Sequence, residues 1–118
     1  MRPALEGRWQ PLRAELAGLS APAEVLEKTE VELSGGRYTV RFGGEVSDHG
    51  TYAHDSAVPG TLTLAGLKGP NAGRTIPCIY QLVGDRLRVC YGLDGTAPAT
   101  FAAAAGTRCY LVTYRRKL

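Results

Sequence analysis

Two short segments constrain this chain more than anything else in it. Val31 and Leu33 alternate with glutamates, Gly35-Gly36 intervenes, and Tyr38, Val40 and Phe42 then alternate with Arg37, Thr39 and Arg41. Period two is the repeat of a strand with one face buried. A Gly-Gly pair accepts the positive φ that both central positions of a type I′ hairpin turn require. A two-residue loop pairs Leu33 with Tyr38, Val31 with Val40 and Thr29 with Phe42, which gathers the large apolar side chains on one face. The second segment passes the same count. Ile76 to Val83 and Arg86 to Tyr91 flank Gly84-Asp85, so Leu82 pairs with Leu87, Tyr80 with Val89 and Cys78 with Tyr91. These face inward, Gln81, Arg86 and Arg88 face out, and Cys90 points outward beside Ile79. A slip of one residue turns a whole apolar set to water, so the pattern itself specifies the pairing.

Further strands read over 8–16, 46–54, 60–67 and 107–116, where Tyr110, Val112 and Tyr114 alternate. Between them lie the breakers Gly43-Gly44, Pro59-Gly60, Gly69-Pro70-Asn71 and the stretch from Gly92 to Pro98. Only 21–28 reads as helix. Ser20 is placed to cap it, Pro22 suits its first turn, and Val25 and Leu26 give it a small apolar face. About eight antiparallel strands and one short helix near the N-terminus predict an all-β chain, an up-and-down barrel or a sandwich. Closure as a barrel removes the edges an open sheet leaves. The 118 residues suit one domain over 1–118, long enough to bury a core without a disulfide or metal staple.

The net charge of +3 is mild. Basic residues concentrate in Tyr114-Arg115-Arg116-Lys117, read as a solvated strand end, and elsewhere acids and bases interleave. No continuous stripe follows a phosphate backbone, so no nucleic-acid partner is expected. No apolar run has the length to cross a bilayer, and charges at Arg2, Glu6, Arg8, Arg13 and Glu15 interrupt the region an export signal would occupy. A cytoplasmic chain without membrane association is the expectation. Cys78, Cys90 and Cys109 form an odd set with no CxxC spacing, which points to free, buried thiols rather than a disulfide framework or zinc knuckle.

Leu5-Glu6-Gly7-Arg8-Trp9 has the form L-x-G-x-W, which resembles the opening of lipocalin-like barrels of the calycin group. The order continues through Leu33 to Val40, Gly50-Thr51-Tyr52, Gly69 to Leu82 and Gly84 to Tyr91. This series is similar to a large bacterial family of lipocalin-like domains and spans nearly the whole chain. The family has no single established reaction, so the resemblance implies a fold and no activity. It also implies that Trp9 plugs one end of the barrel, with Arg115 or Arg116 across its face in a cation–π contact.

An eight-stranded barrel holds either its own side chains or one small ligand. Tyr38, Phe42, Tyr52, Tyr80, Tyr91 and Tyr110 are large enough to fill a short barrel. The same tyrosines are also what a small-ligand site needs, stacking area with a few orienting hydroxyls. The candidate binding residues are therefore Tyr38, Asp48, Tyr52, Tyr80 and Tyr91, with Asp48 at the rim. Asp48-His49 and His54-Asp55 are the acid–histidine groupings, but neighbours on a strand point to opposite faces, so Asp48 does not orient His49. No G-x-S-x-G or HExxH stands in the chain, and its histidines and cysteines lack metal-ligand spacing, so no catalytic residue, metal or cofactor is assigned. Lys68 to Arg74 is Gly-rich between two bases, yet without a G-K-[ST] ending or a following helix it reads as a strand connection.

Three functional readings remain. The first is a non-catalytic module taking a small, partly apolar ligand in the barrel. The second is a protein-interaction module (an inhibitor, immunity or accessory protein) using loops and outer surface. The third is a barrel-cavity isomerase or cyclase with a tyrosine or aspartate as its acid.

Overall fold

A computed structural model describes residues 5–54, 60–103, 106 and 108–117. The elements are β1 (Gly7–Leu16), β2 (Leu19–Ser20), α1 (Ala23–Lys28), β3 (Thr29–Ser34), β4 (Arg37–Phe42), β5 (Glu45–His54), β6 (Thr61–Lys68), β7 (Thr75–Val83), β8 (Arg86–Gly92) and β9 (Cys109–Arg116). Sequential strands pair antiparallel from β3 to β9, β1 joins β3, and β9 returns to β1. Eight strands thus close a barrel, with β2 a two-residue appendage of β1. Closure pairs the two edges, β3 and β9, that the meander would otherwise expose, β3 through the first residues of β1.

Both hairpin registers are those the alternation specifies: Leu33 opposite Tyr38 and Val31 opposite Val40, then Leu82 opposite Leu87 and Cys78 opposite Tyr91. Gly35 and Gly36 hold φ of 60° and 78°, as a type I′ turn demands. Inside, Trp9, Leu33, Leu64, Ile76, Leu87, Val89 and Val112 pack as one buried cluster. Each such aliphatic side chain contributes about 1.5–3 kcal/mol relative to exposure. β1 carries a bulge between Pro11 and Arg13. Pro11 has no N–H to give, and it lies beyond Trp9, where β1 has ceased to pair with β3. There α1 lies against β1, and Gln10 Nε2 donates to the Leu26 carbonyl at 2.6 Å.

Several local expectations are corrected. The helix starts at Ala23, and its cap is Pro22 in extended conformation, with no side-chain cap hydrogen bond. Ser20 does not cap it, because Ser20 is held in β2 opposite Glu15. Phe42 is 45% exposed, since it ends β4 beyond a bulge and stands clear of the core. Cys90 does alternate outward, yet it is fully buried. The connection after β8 folds back over the outer face of that strand, placing the Ala102 carbonyl 3.5 Å from Cys90 Sγ and Phe101 under the Arg88 guanidinium at 4.1 Å. The basic tail is also not merely solvated. Arg116 stacks 4.3 Å from the centre of the Trp9 ring, and Lys117 Nζ reaches Glu30 at 3.0 Å. Arg115 takes no part in that stack, since it alternates to the other face opposite Gln10. Thr107, the expected start of the last strand, lies outside the described residues, and β9 begins at Cys109.

Candidate ligand cavity in the barrel interior

The barrel is not filled. A cavity of about 220 Å³ runs through its interior, from Leu5 and Trp9 to the segment of Ala21, Val25 and Leu26. Its wall is mostly aliphatic, as period-two strands facing a closed interior must make it. Tyr38, Tyr80, Tyr91, Tyr110 and Tyr114 add phenol rings, and Thr29, Asp48 and Asn71 add further polar groups. An apolar cavity of about 150 Å³ holds benzene, so this one suits roughly nine heavy atoms.

Asp48 stands on β5 directly opposite Val40 of β4, two residues along from the Tyr38–Gly50 pair, so Asp48 and Tyr38 are diagonal neighbours on the inner face. Register shifts fall on both sides of Asp48, between Val40 and Arg41 on β4 and between His49 and Gly50 on β5. Bulges of this kind re-aim a side chain beside a site. Asp48 is only 8% exposed, so it lies within the wall and not at the rim. Its Oδ2 accepts a 2.7 Å hydrogen bond from Asn71 Nδ2, while its Oδ1 is buried without a partner. The Tyr38 hydroxyl, on a side chain 3% exposed, is likewise buried and unpartnered. Burial, reinforced by the nearby Asp48 charge, pushes the Tyr38 hydroxyl up to about 12, so it stays protonated at neutral pH.

Asn71 is the residue that sequence reasoning missed. Its loop folds back on β6: Gly66 N donates to the Arg74 carbonyl, and Gly73 N donates to Gly66. A Cβ on Gly66 would overlap the Asn71 carbonyl, so only glycine lets the loop approach closely enough to deliver Asn71 to Asp48. Gly50 serves Tyr38 in the same manner, because a Cβ there would meet the tyrosine ring and the Ala65 carbonyl. The signal lay in glycines inside strand patterns, which mark close approach of another group.

The other expected site residues divide. Tyr91 lines the cavity, and its hydroxyl meets that of Tyr114 at 2.7 Å, with Tyr110 tilted against it at 5.6 Å between ring centres. Burial raises both Tyr91 and Tyr114 above the usual phenol range. Tyr80 also lines the cavity, and its hydroxyl lies 3.3 Å from His54 Nδ1. Tyr52 is buried but does not reach the cavity wall, its ring standing edge-on to His54 at 6.0 Å. His49 pairs with Thr39 and alternates away from Asp48, so the two form no acid–base couple. Among the described residues no cluster of three or more His, Cys, Asp or Glu is arranged to hold a metal, and no helix is long and apolar enough to cross a membrane.

Solved structures share this fold. A lipocalin-like protein from Bacteroides uniformis ATCC 8492 superposes with a TM-score of 0.62 at 13% identity, over 96% of this chain and 98% of that one. The fold is lipocalin-like. An uncharacterised protein from Bacteroides eggerthii DSM 20697 superposes with a TM-score of 0.58 at 10% identity, over 95% and 98% of the two chains. No protein-family model matches the sequence, and no curated protein matches it significantly. At such identities the likeness concerns the lipocalin-like backbone alone, and the chemistry of the interior belongs to this chain's own residues.

Proposed function

We propose that this lipocalin-like barrel is a non-catalytic binding module that takes a small, partly apolar molecule in its interior. The observation that carries the reading is an apolar cavity of about 220 Å³ with two buried polar atoms in its wall, Asp48 Oδ1 and the Tyr38 hydroxyl, that have no partner at hydrogen-bond distance. A fold keeps such atoms at a cost of about 1–3 kcal/mol each, and a ligand that pairs them offsets it. A site with a mostly apolar wall and few convergent polar groups is the usual form of small-molecule recognition.

Native mass spectrometry of the protein purified from its own host tests this. The expected spectrum carries a retained molecule of small mass, lost on denaturation. Val40→Trp, which fills the cavity from a partly buried position, is expected to purify folded without that molecule. A folded wild-type protein that emerges empty and binds no small apolar compound added to it would overturn the reading.

The Asp48 and Tyr38 pair also favours a second reading, the isomerase or cyclase, since a carboxylate and a phenol facing one cavity are a base and an acid by type. Tyr38 is held protonated, which suits hydrogen-bond donation to a bound molecule under either reading. Turnover of the retained molecule by wild type and its loss in Asp48→Asn would decide for the enzyme.

A further inference from the structure

Resting on that reading of the interior, the charge of the cavity narrows what enters it. Among the described residues that line it, Asp48 is the one with a formal charge, and no Lys, Arg or His joins it. A carboxylate in apolar surroundings is costly unless a cation or several donors meet it. Asn71 brings one neutral N–H to Oδ2, the nearby Tyr38 hydroxyl interacts with the carboxylate, and no donor stands at hydrogen-bond distance from Oδ1. The Tyr38 hydroxyl beside it has an unused oxygen acceptor. The missing partner is therefore a cationic donor with more than one N–H. We infer that the cavity takes a small lipophilic amine, bound as its ammonium with N–H groups given to Asp48 and to the Tyr38 oxygen, its apolar body lying against the aliphatic wall.

Three features support the amine over its rivals. A carboxylate ligand, such as a short fatty acid, brings a second negative charge beside Asp48 with no base on the cavity wall to neutralise it. A neutral alcohol makes one donated hydrogen bond but leaves the Asp48 charge unmet, and charge-assisted bonds are the stronger class. Tyr80, Tyr91 and Tyr110 line the same cavity, and phenol rings attract a cation to their faces. The body is limited by volume, at roughly nine heavy atoms in all.

Calorimetric titration with three probes of nine to ten heavy atoms tests the inference: 2-phenylethylamine, 2-phenylethanol and phenylacetate. The amine is expected to bind at least about 10-fold more tightly than the alcohol, as a charge-assisted bond implies, and phenylacetate is expected not to bind. Asp48→Asn keeps the shape and removes the charge, so it abolishes the preference for the amine while circular dichroism shows an intact barrel. Tyr38→Phe weakens the amine by a few fold and keeps the preference. If amine and alcohol bind wild type equally, and Val40→Trp removes both, the amine inference falls and the interior site stands. If none of the three binds, or binding survives in Val40→Trp, both fall. A preference for amine retained in Asp48→Asn also overturns the inference. Should Asp48→Asn fail to fold, the ratio of amine to alcohol in wild type carries the test alone.

Discussion

Replacing Trp9 by alanine removes the largest fully buried side chain in the molecule's described part. An aromatic of this class buries about 150–250 Å², which at about 25 cal/mol per Å² amounts to roughly 4–6 kcal/mol. Alanine keeps part of that, so the truncation is expected to cost about 3–5 kcal/mol. Two specific contacts go with it: the indole N–H that donates to the Leu5 carbonyl at 3.0 Å, and the Arg116 guanidinium stacked at 4.3 Å. Arg116 is anchored separately, since its Nη1 donates to the Glu6 carbonyl at 2.6 Å. Arg116→Ala alone should therefore cost less, about 1–2 kcal/mol. A domain of this size has about 5–15 kcal/mol in total, so Trp9→Ala takes a large share of it. Thermal melting followed by circular dichroism should show a fall of roughly 12–20 °C for Trp9→Ala. A mutant that melts within about 2 °C of wild type would show that Trp9 does not hold that end of the barrel together, and the stacking argument would fail.

The buried polar pair makes a prediction of its own. Asn71→Ala should destabilise by about 1–3 kcal/mol by leaving both Asp48 oxygens unpaired, whereas Asp48→Leu should raise the melting temperature while losing amine binding. A less stable Asp48→Leu would indicate that the carboxylate serves structure, as calorimetric scans of the two variants would reveal. In alkaline titration followed by tyrosinate absorbance, Tyr38 ionises near 10 in the unfolded chain and at about 12 in the fold. The stability it contributes is complete below pH 10 and is lost as pH rises towards 12, so alkaline unfolding and tyrosinate formation should coincide. Separate, fully reversible ionisation of every tyrosine near pH 10 would contradict the burial of Tyr38, Tyr91 and Tyr114. For the thiols, Cys78 is buried and raised to about 12, and Cys90 is sealed under its loop. A thiol reagent should label the partly exposed Cys109 first and reach three per chain only on denaturation without reductant; fast labelling of all three in the fold would refute it.

The strand set and the registers of the two hairpins are legible in the order of residues alone, because period-two alternation across a two-residue turn leaves only one pairing in each that keeps Leu33 with Tyr38 and Leu82 with Leu87. The inward set of tyrosines follows from the same parity. What parity does not reach is anything that crosses between non-neighbouring segments. Asn71 sits in a loop, where no period operates, and only the fold of that loop over Gly66 brings it to Asp48. Cys90 alternates outward, and its burial depends on a later segment returning over β8. Arg115 and Arg116 are equal in sequence, and the pairing of β1 with β9 across the bulge at Pro11 sets which of them faces Trp9. Whether the barrel is filled or hollow is likewise a question of volumes, and volume is a property of side chains from eight strands meeting in three dimensions, which no one-dimensional pattern contains.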